Sequence, residues 1–490
     1  GSPADKIQFE TDRAKFLGIG RDVSDPEGLA RPLTNTVGTV LDPIFSLRRL
    51  VRVSPGRVTR VAFWTLVGSS REEVLERLRD HNDPLAFEQA RTLAWTQAQI
   101  QLRHMDLMPD DAGLFQSLAE TVIYSEPGLR PDTIPDAVQS DLWAQGISGD
   151  LPIILLRIDD IADLGLARQL ILAHEYYRLK RLAVDVVIIN ERASSYIQSL
   201  QEALLAAGKA SQTRARAFEH DGPGRVFVLQ GDQLSETTRN ALLGAARAVL
   251  TGRRGSLAEQ IKRLAAVRST APRPLGAPRP ETFGPAFDTS GLSFFNGLGG
   301  CDAAAREYVV ALGGGRRTPA PWINVVANPE AGFHVAADGA GYTWTRNSRE
   351  NQLTPWSNDP VTNRSGEMLF ITDRDTGALW GPTAHVYQDP AGTYVARHGF
   401  GYSRFTHEAD DIASDLVQFV PGDDPLKVSV LTLRNTGSTP RRLAVTAFAE
   451  WVLGPQRGAG IPFVRTERSE HTGALLARNP WNRDYGARVA

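Results

Sequence analysis

The spacing of apolar and polar positions changes period twice along the chain. Up to about residue 66 the period is two. Val37-Gly-Thr-Val-Leu41, Leu50-Val-Arg-Val53 and Val58-Thr-Arg-Val-Ala-Phe-Trp64 are β-branched or alternating runs, and Ser54-Pro-Gly56 is a turn signal between the last two. They predict the last hairpin of a β-sandwich. Too few strands precede it to close a sandwich, so the opening reads as the tail of a β-domain that begins upstream.

The period then becomes helical. Ser70-Arg-Glu-Glu73 has the form of a capping box, in which Ser70 accepts from the third helical N–H and Glu73 reaches back. Leu75, Leu78, Ala86, Phe87, Ala90, Leu93 and Ala94 follow at helical spacing. Asn82-Asp-Pro84 opens a second helix, with proline at a permitted first-turn position, and that helix is predicted to reach about His104. Further helices are predicted over 115–123, 164–182, 196–207 and 235–250. Residues 151–158 and 182–190 are apolar runs that suit a buried strand or a buried helix turn, and periodicity does not separate the two. The β-branched second run favours a strand, and a third run covers 225–229. Strand and helix alternating in this way is an α/β element.

Pro272, Pro274, Pro278, Pro280 and Pro285 mark residues 268–291 as a linker, because so many prolines leave too few N–H donors for a helix or sheet. From Arg306 the period of two returns. Strands are predicted over 308–312, 322–326, 333–336, 367–372, 416–420, 427–433 and 443–451. Ala337-Asp-Gly339, Asp375-Thr-Gly377 and Asp389-Pro-Ala-Gly392 are turns between them. Short strands at this spacing predict a large antiparallel sandwich. The expected class is multi-domain α+β, in four parts. Residues 1–68 are the tail of a first sandwich, 69–267 a mainly helical or α/β segment, 268–291 the linker and 292–490 a second sandwich.

Composition narrows the chemistry. The chain of 490 residues balances 54 Lys and Arg against 56 Asp and Glu, which argues against a partner of nucleic acid or an anionic membrane surface. The single cysteine, Cys301, leaves no disulfide framework or multi-cysteine zinc site. The nine histidines show no paired-ligand spacing, so neither a metal nor another cofactor is expected. The longest apolar runs fall far short of the roughly 20 residues of a spanning helix, so no direct membrane insertion is expected. The chain begins Gly-Ser-Pro without a methionine, which suggests a processed chain or a piece of something larger.

Several residues are candidates for chemistry. Arg346, Asn347, Arg349, Glu350 and Asn351 with Trp356 combine amides, guanidinium groups and a carboxylate with an indole face, beside Tyr342 and Trp344. Such groups hydrogen-bond sugar hydroxyls and stack on pyranose rings, or they fix a long loop as a polar network. These six are the candidate substrate-binding residues. Asp150, flanked by Gly149, is the best single acid candidate or else a cap. His174-Glu175 reads as an acid–base pair or as helix-interface residues, and His398 as a loop-orienting group. Asp410-Asp411 and Asp423-Asp424 suit turns better than a cation. Gly313-Gly-Gly315 before Arg316-Arg317 lacks the rest of a phosphate loop, and Cys301 has no base at motif spacing.

Longer stretches carry a resemblance. Residues 341–360, Ala396-Arg-His-Gly-Phe-Gly-Tyr-Ser-Arg404, Glu450-Trp-Val-Leu-Gly454 and Ala477-Arg-Asn-Pro-Trp-Asn482 resemble the sandwich of glycoside hydrolase family 94, formerly glycosyltransferase family 36. Phe16-Leu-Gly-Ile-Gly-Arg21, Leu41-Asp-Pro-Ile-Phe45, Trp95-Thr-Gln-Ala-Gln-Ile-Gln-Leu102, Gly146-Ile-Ser-Gly-Asp-Leu-Pro152 and Ala173-His-Glu-Tyr-Tyr177 are similar to the cyclic β-1,2-glucan synthase branch, where two such sandwiches occur in tandem. The resemblance implies a galactose-mutarotase-like supersandwich and a non-catalytic, carbohydrate-binding portion of a glycosyltransferase or phosphorylase machine, acting in glucan synthesis and chain-length control. The family's catalytic acid belongs to a helical barrel after the sandwich, and no position here matches it. The implied partners are linear or cyclic β-1,2-linked glucan and the remaining domains of a parent synthase. The implied location is the cytoplasmic side of a bacterial inner membrane. The alternatives are a scaffold without sugar contact and part of an inverting β-1,2-oligoglucan phosphorylase.

Overall fold

The computed structural model describes residues 7–81, 84–124, 126–131, 136–193, 199–217, 223–267, 278–458 and 460–490. Asn82-Asp83, the predicted helix start at Tyr196, and Pro272 and Pro274 of the linker lie outside them. The chain divides into two units, one of Gly1–Thr59 with Arg273–Ala490 and one of Arg60–Pro272.

The first unit opens with β1 (Gln8–Asp12), a short helix α1 (Arg13–Leu17) and β2 (Pro43–Arg48), the two strands pairing antiparallel. Asp12 caps α1 by accepting from the amides of Ala14 and Lys15. One side chain attaches this segment to the later sandwich. Arg13 hydrogen-bonds Asp42 at 2.8 Å and forks onto Asp359 at 2.9 and 2.7 Å. The Gly20 amide adds a bond to the Val361 carbonyl at 2.6 Å. The alternating runs over 50–53 and 58–64 form no strand, and Val51, Val53, Val58 and Phe63 are exposed. Alternation yields a ladder only against a partner strand, and none lies beside these runs among the described residues.

The second unit contains α2 (Arg71–His81), α3 (Pro84–His104), α4 (Pro109–Ile123), β3 (Ile153–Ile158), α5 (Leu164–Leu179), β4 (Asp185–Asn190), α6 (Ser199–Ala217), β5 (Val226–Gln230), α7 (Glu236–Ala245), β6 (Ala246–Thr251) and α8 (Leu257–Val267). Ser70 accepts from the Glu73 amide as expected, whereas the Glu73 carboxylate reaches Ser69. Both ambiguous apolar runs are strands. They are continuous in apolar residues because a parallel sheet is covered on both faces. The sheet is wholly parallel in the order β5-β4-β3-β6. Ile154, Leu156 and Ile158 of β3 face a core shared with α4, α5, α6 and α8.

The helix expected over 235–250 stops at Ala245, and Ala246–Thr251 is the fourth strand. Its alanines and leucine carry little β propensity. Its place beside β3 decides its conformation. The middle segment, expected as mainly helical or α/β, is thus a layered α/β unit.

The sandwich contains β7 (Gly299–Asp302), β8 (Glu307–Gly313), β9 (Ile323–Ala327), β10 (Ala331–Ala336), β11 (Gly341–Thr345), β12 (Glu367–Asp373), β13 (Leu379–Trp380), β14 (Thr393–Gly399), β15 (Tyr402–Ala409), β16 (Ile412–Phe419), β17 (Val428–Asn435) and β18 (Leu443–Ala449). Six strands form one antiparallel sheet, β17-β16-β15-β14-β8-β7. Two three-stranded sheets, β11-β10-β9 and β13-β12-β18, accompany it. Val310, Leu312, Phe333, Val335, Ala396, Phe405 and Leu416 form the core between sheets. The α+β class with a large antiparallel sandwich in the C-terminal half therefore holds.

The proline-rich residues after 278 do meet the sheet. Gly284 donates to Glu408 at 3.1 Å, Asp410 donates to Thr282 at 2.9 Å, and Leu379 donates to Pro278 at 2.9 Å. Gly284 supplies an N–H donor, which proline lacks, while the Pro278 and Thr282 carbonyls accept. No helix among the described residues is long and apolar enough to cross a membrane.

The Arg13–Asp359 fork should govern how residues 7–48 hold to the sandwich. Hydrogen bonds from Arg13 keep the Asp359 carboxyl well below the usual carboxylate range, and burial only partly opposes them. Asp359→Asn should cost about 1.5–3 kcal/mol in urea denaturation at neutral pH. A group with a depressed folded pKa stabilises fully above its unfolded pKa of roughly 3.9 and loses that contribution as pH falls through the folded value. The gap between wild type and variant should therefore be constant above about pH 5 and shrink in acid. A gap that stays flat into strong acid contradicts this role.

Candidate functional site

The candidate residues lie on the loop between β11 and β12. Alternation along β11 puts Tyr342 and Trp344 on one face and Thr343 and Thr345 on the other. Tyr342 and Trp356 stack with ring centroids 5.5 Å apart and planes 10° apart. His334, the cross-strand neighbour of Tyr342 on β10, meets Tyr342 edge-on at 4.5 Å and Trp356 at 5.8 Å. Burial holds the His334 imidazole down to about 4, so it is neutral at pH 7. Trp356 is 46% exposed, which leaves part of the indole open to solvent.

The loop spends its amides on itself. Arg346 sits at a φ of 62°, its amide donates to the Glu330 carbonyl at 2.8 Å, and its guanidinium pairs with the Glu330 carboxylate at 2.7 Å. Asn347 Oδ1 accepts from the amides of Arg349 and Glu350, both at 2.9 Å. Asn351 is buried and donates to the Thr345 carbonyl at 3.3 Å. Arg349 and Glu350 pair with each other at 3.3 Å while remaining 88% and 50% exposed. Six candidates thus separate into two groups. Arg346, Asn347 and Asn351 shape the loop. Arg349, Glu350 and the outer part of Trp356 face solvent.

Beneath the loop lies a charge that the sequence reading did not select. Glu367 opens β12, and its Oε1 accepts from the hydroxyls of Thr343 and Thr354, both at 2.5 Å. Its Oε2 pairs with Lys427, whose ammonium lies 4.6 Å from the Phe333 ring centroid. Burial alone pushes the Glu367 carboxyl up, but Lys427 and the two threonines outweigh it and hold it below the ordinary range. The group is ionised at neutral pH and cannot donate a proton. A cavity of about 160 Å³ next to it is lined by Glu367, Lys427, His385, Gln418, Ser429 and Phe448. His385 lies 3.8 Å from Asp338, whose carboxyl is likewise held low: burial raises it, and His385 with the Ala340 amide and Asn363 overcomes that. The available signal was a charged residue at a strand position, Glu367, and one of only six lysines at the start of another strand.

The remaining candidates are dispersed. Asp150 lies before β3 and accepts from Gln139 at 2.9 Å. His174 is buried in α5 with Nε2 at 3.1 Å from the Val184 carbonyl, and burial lowers it to about 4. It is a core histidine, neutral at pH 7. His398 meets Ser403 at 3.0 Å, orienting the turn between β14 and β15. Asp410 and Asp411 both take positive φ in the turn between β15 and β16, and Asp410 accepts from the amides of Glu281 and Thr282. Among the described residues, no group of three or more His, Cys, Asp and Glu is placed to hold a metal ion.

Comparison with known proteins gives consistent matches. The family model for the glycosyl hydrolase 94 supersandwich domain matches residues 1–84 and 306–490. Cyclic beta-(1,2)-glucan synthase of Rhizobium meliloti (strain 1021) is 40% identical over 500 residues, covering 99% of this chain and 18% of that protein. N,N'-diacetylchitobiose phosphorylase of Vibrio proteolyticus is 25% identical over 150 residues, covering 30% of this chain and 18% of that enzyme. Solabiose phosphorylase of Paenibacillus borealis is 26% identical over 159 residues, covering 32% of this chain and 20% of that enzyme. The chain thus spans about a fifth of the length of each of these relatives.

Removing the cation beside Glu367 should expose what the pair does. Lys427→Met leaves a part-buried carboxylate without its cation and should cost about 2–3 kcal/mol in chemical denaturation. Adding Glu367→Gln to it should return part of the loss. A single variant within about 1 kcal/mol of wild type would show the pair to be incidental.

Proposed function

The chain belongs to the glycosyl hydrolase 94 supersandwich family, and from that membership we propose that it is a non-catalytic, glucan-contacting portion of a larger β-1,2-glucan-building protein. The observation that carries this reading is the half-open indole of Trp356 on the same loop as the exposed Arg349 and Glu350. An aromatic face stacks on a pyranose ring, while a guanidinium and a carboxylate donate to and accept from its hydroxyls. The similarity along 99% of the chain to cyclic beta-(1,2)-glucan synthase supports β-1,2-linked glucan as the ligand. The family match at residues 1–84 and 306–490 supports reading 1–68 and 292–490 as sandwich parts on either side of the α/β unit's sequence.

For the sandwich, protonation supports the non-catalytic part of the proposal. Glycosidic bond cleavage by inversion needs a carboxylic acid whose pKa is raised enough to donate. Glu367 and Asp338 beside the sandwich cavity are both held ionised. The chain's role is then to hold or measure glucan for chemistry carried out elsewhere in the parent protein, at the cytoplasmic face of the bacterial inner membrane. One observation favours a scaffold without sugar contact: Trp356 already stacks on Tyr342, and the loop amides are already bonded.

Titrating a linear β-1,2-glucan oligosaccharide while following tryptophan fluorescence and heat of binding separates the two. Wild type should respond in the millimolar range or tighter, and Trp356→Ala should weaken binding by about ten-fold, the order of 1–1.5 kcal/mol for a lost aromatic contact. Silence in wild type, or equal affinity in Trp356→Ala, favours the scaffold. Release of glucose 1-phosphate from the glucan and inorganic phosphate would instead support a phosphorylase part.

A further inference from the structure

The large sheet of the sandwich carries a second hollow, on the side away from the core. Along β14 to β17, Tyr394, Ala396, Phe405, Leu416 and Leu431 turn inward, so their immediate neighbours in sequence turn outward. Strand register sets the outward residues in rows. One row is Val395, Thr406, Asp415 and Thr432, and the next holds Glu408, Ala413 and Arg434. A cavity of about 620 Å³ lies over these two rows, within the roughly 300–1,000 Å³ of small-ligand sites.

A wall and a floor shape it. The wall is the segment 284–288, fixed at both ends. The Gly284 amide donates to the Glu408 carbonyl at 3.1 Å, and a Cβ on Gly284 would lie 2.8 Å from Glu408 Cβ, so a residue without a side chain is needed at this crossing. Further on, the Phe287 ring centroid lies 5.3 Å from the Arg397 guanidinium, which Glu307 holds at 3.0 Å. The floor is low because Ala413 stands between two long side chains. Glu408 and Arg434 are two strand spacings apart, about 9–10 Å, and do not pair. Glu408 accepts instead from Thr436 at 2.8 Å, and Asp415 accepts from Arg404 at 2.9 Å.

The lining keeps unused hydrogen-bonding capacity of three kinds. Among the described residues, the hydroxyls of Thr393, Thr406 and Thr432 and the guanidinium of Arg434 have no hydrogen-bond partner. The hydroxyls donate and accept, the guanidinium only donates, and the carboxylates of Glu408 and Asp415 keep lone pairs that only accept. A molecule dense in hydroxyls and without net charge satisfies all three. Phosphate does not, because Glu408, Asp415 and Asp288 outnumber the one unpaired cation in the lining.

We propose that the outer face of the large sheet, between the segment 284–288 and Arg434, is a saccharide-binding groove separate from the Trp356 loop. It rests on the glucan reading above only for its choice of probe. The test is hydrogen–deuterium exchange of the full chain with and without a linear β-1,2-glucan oligosaccharide at millimolar concentration. Residues 284–288 should gain protection in wild type and equally in Trp356→Ala. Ala413→Phe should fill the floor and abolish that protection. Arg434→Ala changes an exposed residue that makes no hydrogen bond, so its thermal stability should match wild type. Its apparent affinity, read at 284–288, should fall about ten-fold, the loss of one hydrogen bond from a charged group. No protection of 284–288 in wild type, undiminished protection in either groove variant, loss of protection in Trp356→Ala, or protection by inorganic phosphate in place of the oligosaccharide overturns the proposal. Protection at 284–288 with none at 346–356 would leave the groove standing and sink the Trp356 reading, and protection at 346–356 alone would do the reverse.

Discussion

A single part-buried carboxylate organises the sandwich. Glu367 joins β12 to β11 through Thr343, to the candidate loop through Thr354, and to the entrance of β17 through Lys427. Three sheets and the one long loop therefore converge on a group that must stay ionised. Burying a charge costs several kcal/mol, and that cost is offset only when every lone pair finds a donor. Two hydroxyls and an ammonium meet the condition here. The loop carrying Trp356 is consequently not a free appendage. Its base at Thr354 is fixed to the interior, and only its outer residues can respond to a ligand.

The elements legible in the sequence were those whose burial follows from local pattern. The strands after Arg306 alternate because one face meets the core and one meets water, so a period of two located most of them. The runs that became β3 and β4 were visible as apolar stretches, but a parallel strand covered on both faces has no period to read. The strand Ala246–Thr251 was invisible for the opposite reason. Its alanines and leucine continue the helical pattern of α7, and only the vacant place beside β3 selects the extended form. The runs over 50–64 have the strongest local strand signal in the first part of the chain, yet they form none. Local propensity proposes a strand, and a partner edge makes it one.

The candidate site shows the same limit. Composition picked out the polar and aromatic residues of 346–356, and the structure does bring Trp356 onto Tyr342. Composition did not reveal that Asn347 and Asn351 are consumed within the loop, because an amide's partner depends on backbone geometry that spacing does not encode. Nor did it reveal Glu367, whose partners come from positions 343, 354 and 427. A buried ion pair assembled from remote positions leaves no local motif. The one trace is a charge in a strand register that should be apolar.

The carboxylates also differ in whether partners or burial set their charge. In the sandwich unit Glu367, Asp338, Asp373 and Asp359 are each held low by partners that outweigh burial. In the α/β unit Asp163 and Asp185 are raised, chiefly by burial, whereas Glu73, Glu191 and Glu259 are lowered by their hydrogen-bond partners. A partnered carboxylate is fixed as an anion and serves as structure. A raised one can exchange a proton or take a new hydrogen bond, because its folded environment leaves it unsatisfied. Asp185 is sealed at the buried start of β4, where it accepts from the Arg225 amide. Asp163, at the start of α5, is part-exposed and is raised by burial and by the neighbouring charges of Asp159 and Asp160.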